Sequence, residues 1–166
     1  MVEMMLASTV MMVGVASYLS AIVQVDSLRS TSEETGRAIE GAKRALGEVQ
    51  SSDFADLVAL YDANPDNDPG GAGSAPGNSF TVDGLARRTA PNEPVGEIVL
   101  PLDAAGALRE DLDMPELGLP RDLNGDGAID SADHSGDYQL LPVLVRVRWE
   151  GRSENTVELK TLLSER

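Results

Sequence analysis

Between Glu3 and Asp26 the chain carries 22 residues without a charge, MMLASTVMMVGVASYLSAIVQV, nearly all of them apolar or small. At 1.5 Å of rise per residue a helix of this length reaches roughly 33 Å, against a hydrocarbon core of about 30 Å. A helix that is apolar on every face belongs inside a large protein or inside a bilayer. The chain has 166 residues, too few to surround such a helix, so the run is expected to span a membrane. It lacks the basic flank of a secretory signal and exceeds the usual 7–15 apolar residues of one. Glu3 at its edge then needs a reason, because a carboxylate in hydrocarbon costs about 2–3 kcal/mol or more.

The rest of the chain is of another kind. The first 25 positions contain five of the six methionines and no lysine or arginine, which leaves the remainder polar and acidic, with a net charge of −15 overall. Polyanions such as nucleic acid or anionic lipid are repelled by that charge, and cations are the expected small partners. Cysteine is absent, so neither a disulfide framework nor a thiolate metal site is available, and any metal is expected to take oxygen ligands. The expected organisation is a membrane-spanning segment over 1–25 and one folded domain over 26–166.

Past Asp26 the helical pattern continues without a stop and becomes one-sided. Val25, Leu28, Ser32, Thr35, Ile39, Ala42, Leu46 and Val49 recur at spacings of three and four, the signature of a single buried face. A continuous helix is expected from about Val2 to about Leu60, ending where YDANPDNDPGGAGSAPGN crowds proline and glycine together. Short strands are expected over Ser79–Asp83 and Glu97–Leu100, with loop at RRTAPNEP between them and a helical turn near Ala104–Asp111. LLPVLVRVRWE and NTVELKTLLS alternate at period two and are joined by GRS, which predicts a hairpin. Val143, Val145, Val147 and Trp149 would face the core, and Arg146 would meet Glu158 across the outer face. The fold class is α+β, a long N-terminal helix whose amphipathic second half packs on a small antiparallel sheet.

Residues 122–133, DLNGDGAIDSAD, carry the clearest chemical pattern. Asp122, Asn124, Asp126, Asp130 and Asp133 put oxygen side chains at loop positions 1, 3, 5, 9 and 12. Gly127 stands at the sharp sixth position, Ala128 offers its carbonyl at the seventh, and Ile129 fills the apolar eighth. The pattern is similar to the calcium loops of EF-hands and especially of dockerins, which share an aspartate at position 12, so Ca2+ is the expected cofactor. HSGDYQ, which follows, is a poor helix former, so the usual flanking helix pair is not expected. Asp62, Asn64, Asp66 and Asp68 share the odd spacing, but Pro65 stiffens the run and no glycine stands at position 6. His134, the single histidine, reads as an ordinary surface residue, and no nucleophile–base pair, phosphate loop or zinc motif is visible.

The opening MVEMMLASTVMMVGVASYLSAIVQ, with its early glutamate and apolar run, resembles the type IV pilin superfamily, including the pseudopilins of type II secretion. The layout of the whole chain and the closing VRVRW and VELKTLL strands are similar to minor pilins and pseudopilins. The resemblance implies a non-enzymatic subunit of a pilus or secretion filament, anchored in the bacterial inner membrane with its folded domain in the periplasm or outside. It further implies that residues 1–25 polymerise with the same segment of other subunits, and that Glu3 pairs with a neighbouring subunit's N-terminal amine. Small residues Ala7, Ser8, Gly14, Ala16, Ser17, Ser20 and Ala21 would permit close helix approach in bilayer or filament. Family members carry four residues before this glutamate after leader cleavage, where Glu3 has two, and a chain beginning upstream of Met1 is the expectation that accommodates this. Two other readings fit the same residues: a membrane-anchored, calcium-binding interaction domain that does not polymerise, and a dockerin-like adaptor.

Overall fold

The structure is a computed structural model that describes residues 2–87, 89–151 and 153–165; for Leu6, Ala21, Val23, Asp26 and Ser27 it describes the backbone alone. Arg88 and Arg152, in the expected loop and hairpin turn, and the side chains of Ala21 and Asp26 therefore lie outside the described residues. Helix α1 is Val2–Ser51, a short helix α2 is Leu57–Tyr61, and strands β1 (Ser79–Phe80), β2 (Gly96–Val99), β3 (Leu140–Glu150) and β4 (Glu154–Ser164) follow. The strands form one antiparallel sheet in the order β1-β2-β3-β4. The chain divides into two compact units, residues 1–36 and 37–166, so the folded unit begins at Arg37, eleven residues beyond the boundary the charge pattern suggests.

In the first unit α1 includes a candidate membrane span, Val2–Ser20, with mean hydropathy 1.6 and none of it buried. Met4, Met5, Met11, Met12, Val13 and Tyr18 are all more than 60% exposed. Val25 and Leu28, placed by periodicity on the buried stripe, are also exposed, as is Ser32.

The core belongs to the second unit. Ala38, Ala42, Ala45 and Val49 of α1 are buried in one cluster with Ile98 of β2, Leu141, Val143, Val145, Val147 and Trp149 of β3, and Leu57, Val58 and Tyr61 of the α2 region. The helical face is made of small residues because the neighbouring chain comes very close to it. A Cβ on Gly41 would lie 2.6 Å from Val82 Cγ2, inside any real contact distance. Gly96 likewise lies under the Phe80 ring, with which it is paired across β1 and β2.

The hairpin forms in the expected register, with Val145 opposite Leu159 and Arg146 opposite Glu158; Arg146 Nε donates to Glu158 Oε1 at 2.8 Å. Pro142 is tolerated in β3 because it lies two residues beyond Leu144, the last residue paired with β2. Two expectations are corrected. Helix α1 stops at Ser51 instead of near Leu60: Ser51 and Ser52 hydroxyls both turn back onto the Glu48 carbonyl, and Asp53 caps a 3-10 turn over Phe54–Asp56 before α2 begins. Residues 104–111 hold no helical turn. Asp103 accepts from the amides of Ala105 (2.8 Å) and Ala107 (3.1 Å), and Gly106 takes a φ of +86°, which bends the chain so that Leu102 bridges Leu108.

The two exposures of glycine in α1 separate cleanly. Gly47→Ala meets nothing within 4 Å and is expected to stabilise the fold by up to about 1 kcal/mol through helix propensity. Gly41→Leu is expected to destabilise it by about 1–3 kcal/mol through overpacking, with Val82→Ala recovering part of the loss; denaturant unfolding of the protein in detergent measures both.

Candidate metal centre

Two strand-like contacts place the acidic loop against the core. Leu108, fully buried, accepts at its carbonyl from the amide of His134 (2.9 Å), and its own amide donates to Asp133 Oδ1 (3.1 Å). Leu123, also fully buried, sits between Asp122 and Asn124 and takes the amides of Gln139 and Leu140 on its carbonyl at 2.8 and 2.9 Å. One buried leucine thus fixes each end of the loop to the body of the unit.

Within the loop the first three predicted ligands organise a tight turn. Asp122 accepts from Gly125 (2.6 Å) and Gly127 (2.9 Å) amides, Asn124 Oδ1 from Asp126 (3.1 Å), and Asp126 Oδ1 from Ala128 (2.7 Å). Gly125 and Gly127 hold φ of +79° and +85°, the left-handed region that glycine enters without strain. Each of these oxygens keeps a further lone pair, but the acidic grouping close enough to hold an ion among the described residues includes neither Asp122 nor Asp126. Asn124 Nδ2 also lies 3.4 Å from Asp126 Oδ2 and 3.4 Å from Asp137 Oδ2.

The last two predicted ligands point elsewhere. Asp133 Oδ1 accepts from the amides of Leu108 (3.1 Å) and Ser135 (3.0 Å) and from the Ser135 hydroxyl. The Ser135 hydrogen bond, against the cost of partial burial, holds its carboxyl below the usual range. Asp130 accepts from Ala132 (2.7 Å) and stands 3.2 Å from His134 Nε2; those bonds lower its pKa as well. No helix follows among the described residues through Gln139, as the composition of HSGDYQ predicts.

Two residues that spacing does not reveal stand beside Asp130. His134 is only 4% exposed, which corrects the expectation of a surface histidine, and Glu110 is only 1% exposed. Glu110 Oε1 accepts from the amides of Leu123 (2.6 Å) and Asn124 (3.2 Å), and Oε2 lies 3.4 Å from the Asp130 amide and 3.8 Å from His134 Nε2. His134 Nδ1 is 3.1 Å from Asp137 Oδ1. Glu110, Asp130 and His134 offer ligand atoms that all lie within 4.8 Å of one another. For His134 a signal existed, since carboxylates four residues before and three after bracket it; for Glu110, in ALREDLD, there was none.

The second acidic run behaves differently. Asp62 caps its own loop, accepting from the Asn64 amide (3.0 Å) and Asn67 Nδ2 (2.8 Å), while Asp68 takes the Ala75 amide (2.9 Å). Comparison of the chain with protein-family models, curated proteins and solved structures finds no match.

Burial by itself pulls the His134 imidazole pKa down, but its hydrogen bonds to the Asp130 and Asp137 carboxylates and the nearby Glu110 outweigh it and leave it above its ordinary value. A folded-state pKa above the unfolded one means stability that is fully present below about pH 6.5 and is lost as pH rises through the folded pKa. In chelator, the melting temperature is therefore expected to fall between mildly acidic and mildly alkaline pH, and His134→Gln is expected to flatten that dependence.

Proposed function

We propose that this chain is a membrane-anchored structural subunit of the type IV pilin kind, a minor pilin or a pseudopilin, that assembles into a filament through its N-terminal helix. The single observation that carries the reading is α1: an apolar stretch, Val2–Ser20, with no buried surface, in the same helix as the Ala38–Val49 face that packs into an antiparallel α+β core. An apolar helix surface of that extent calls for lipid or for other helices, and a filament subunit uses both in turn. In this reading the bacterial inner membrane stores the subunit, the folded unit lies in the periplasm or outside, and other subunits are the partners. The role is structural and not enzymatic.

Glu3 then lies at the start of the assembling segment, paired with the amine of a neighbouring subunit, so that two charges enter the apolar interior together. Removing one partner of a buried pair costs about 3–5 kcal/mol. Glu3→Ala is expected to leave membrane fractionation unchanged and to reduce filament incorporation or helix-to-helix cross-linking more than tenfold. Normal incorporation would defeat the pairing, and monomers in both forms would favour the non-polymerising, membrane-anchored interaction domain.

Calcium is the ion proposed for the turn at Asp122, Asn124, Asp126 and Ala128. An ion that binds only the folded state stabilises it by about 2.7 kcal/mol at a hundred times Kd, or about 5–10 °C for a domain of this size. Chelation is expected to lower the melting temperature of the detergent-solubilised protein by that amount, and Asp126→Ala to abolish the difference. Magnesium, which demands a compact octahedral shell and keeps its waters, is expected to substitute poorly. Identical melting in calcium, magnesium and chelator would remove the ion from the reading.

A further inference from the structure

We propose that Glu110, Asp130 and His134 form a second metal site, separate from the oxygen-only turn at Asp122–Ala128, that takes a transition ion of the zinc class. The inference requires neither filament assembly nor calcium. It revises the expectation of oxygen ligands alone, because the ring nitrogen that a borderline ion prefers is present and buried.

The donor set is one imidazole nitrogen and two carboxylate oxygens, the combination that suits zinc, manganese or iron and that calcium does not use. The two separations from the ring nitrogen are those of a small ion's ligands, and the two carboxylates, within 4.8 Å of each other, need to close only slightly onto a common ion. Bonds of about 2.0–2.1 Å place neighbouring tetrahedral ligands roughly 3.3–3.4 Å apart. His134 Nε2 lies 3.2 Å from Asp130 Oδ1 and 3.8 Å from Glu110 Oε2, which brackets that separation.

Each ligand is also aimed from behind. With the proton on Nδ1, that nitrogen donates to Asp137 Oδ1 at 3.1 Å and the Nε2 lone pair faces the two carboxylates, the carboxylate–histidine–metal arrangement. The Leu123 and Asn124 amides hold Glu110 by Oε1 and leave Oε2 toward the centre. The Ala132 amide fixes Asp130 Oδ1 at 2.7 Å. Glu110 and His134 are buried while the Asp130 side chain is 53% exposed, so the centre has a closed floor and one open side for the ion to enter and for water to fill a fourth position. Bound there, an ion cross-links chain positions 110, 130 and 134.

The test uses the full chain in detergent micelles, stripped of metal and titrated with Zn2+ and separately with Ca2+, by calorimetry and thermal melting. Wild type is expected to bind one equivalent of Zn2+ at this centre. Asp130→Asn and His134→Gln are each expected to weaken Zn2+ binding at least tenfold, and Asp137→Asn about tenfold to a hundredfold by releasing the ring. Asp126→Asn is expected to leave Zn2+ binding intact while abolishing the calcium response, so failure here and failure of the calcium reading are distinguishable. Because His134→Gln removes a buried group, two further measurements guard the result: Asp130 is surface-accessible and its asparagine variant should fold, and Zn2+ should shift the Nε2 and not the Nδ1 resonance of His134 in wild type. Zn2+ affinity unchanged in Asp130→Asn, loss of Zn2+ binding together with calcium in Asp126→Asn, or an unshifted Nε2 resonance would each overturn the proposal.

Discussion

The close approach of α1 to its neighbours is the contact on which the folded unit depends. Ala38, Gly41, Ala42, Ala45 and Val49 make a face so shallow that Val82 comes within a methyl group of the helix backbone. Close-packed interiors gain dispersion energy from such contacts and have little tolerance for added volume. The valines of β3 can therefore be fully buried although the sheet has only four strands and two of them are short.

Polar chemistry is arranged around that core by the same economy. Glu110 is a buried carboxylate that would be costly alone, and it is satisfied by amides of the acidic loop and by its proximity to His134. The loop is consequently attached to the core by the Glu110 side chain as well as by Leu123. Among the described residues no buried side-chain nitrogen or oxygen is left without a partner. A loop that would otherwise be a floppy run of carboxylates acquires a defined geometry before any ion is considered.

The membrane and filament reading draws on a different part of the chain and a different force. Val2–Ser20 is unburied and long and apolar enough to span a membrane, while the buried apolar cluster belongs to residues 37–166. The proposed assembly and the proposed metal binding therefore draw on different units of the chain.

Periodicity made much of this legible in advance. Period-two alternation sufficed for the β3–β4 hairpin and the Arg146–Glu158 pair, because a side chain's face in a strand depends only on its parity. The apolar run and the turn at Gly127 were equally readable, since both are local properties of consecutive residues. The end of α1 and the course of residues 104–111 were not, because Asp103 and the serines at 51 and 52 compete with the helix for backbone hydrogen bonds in ways that propensity does not rank. Nor was the stripe's true start at Ala38, which depends on where the sheet happens to lie. The decisive case is the centre at Glu110, Asp130 and His134. Local spacing places a histidine among aspartates, but only the tertiary structure could bury that ring and bring Glu110 to it from a distant part of the chain, since burial and long-range proximity are set by packing and leave no period in the sequence.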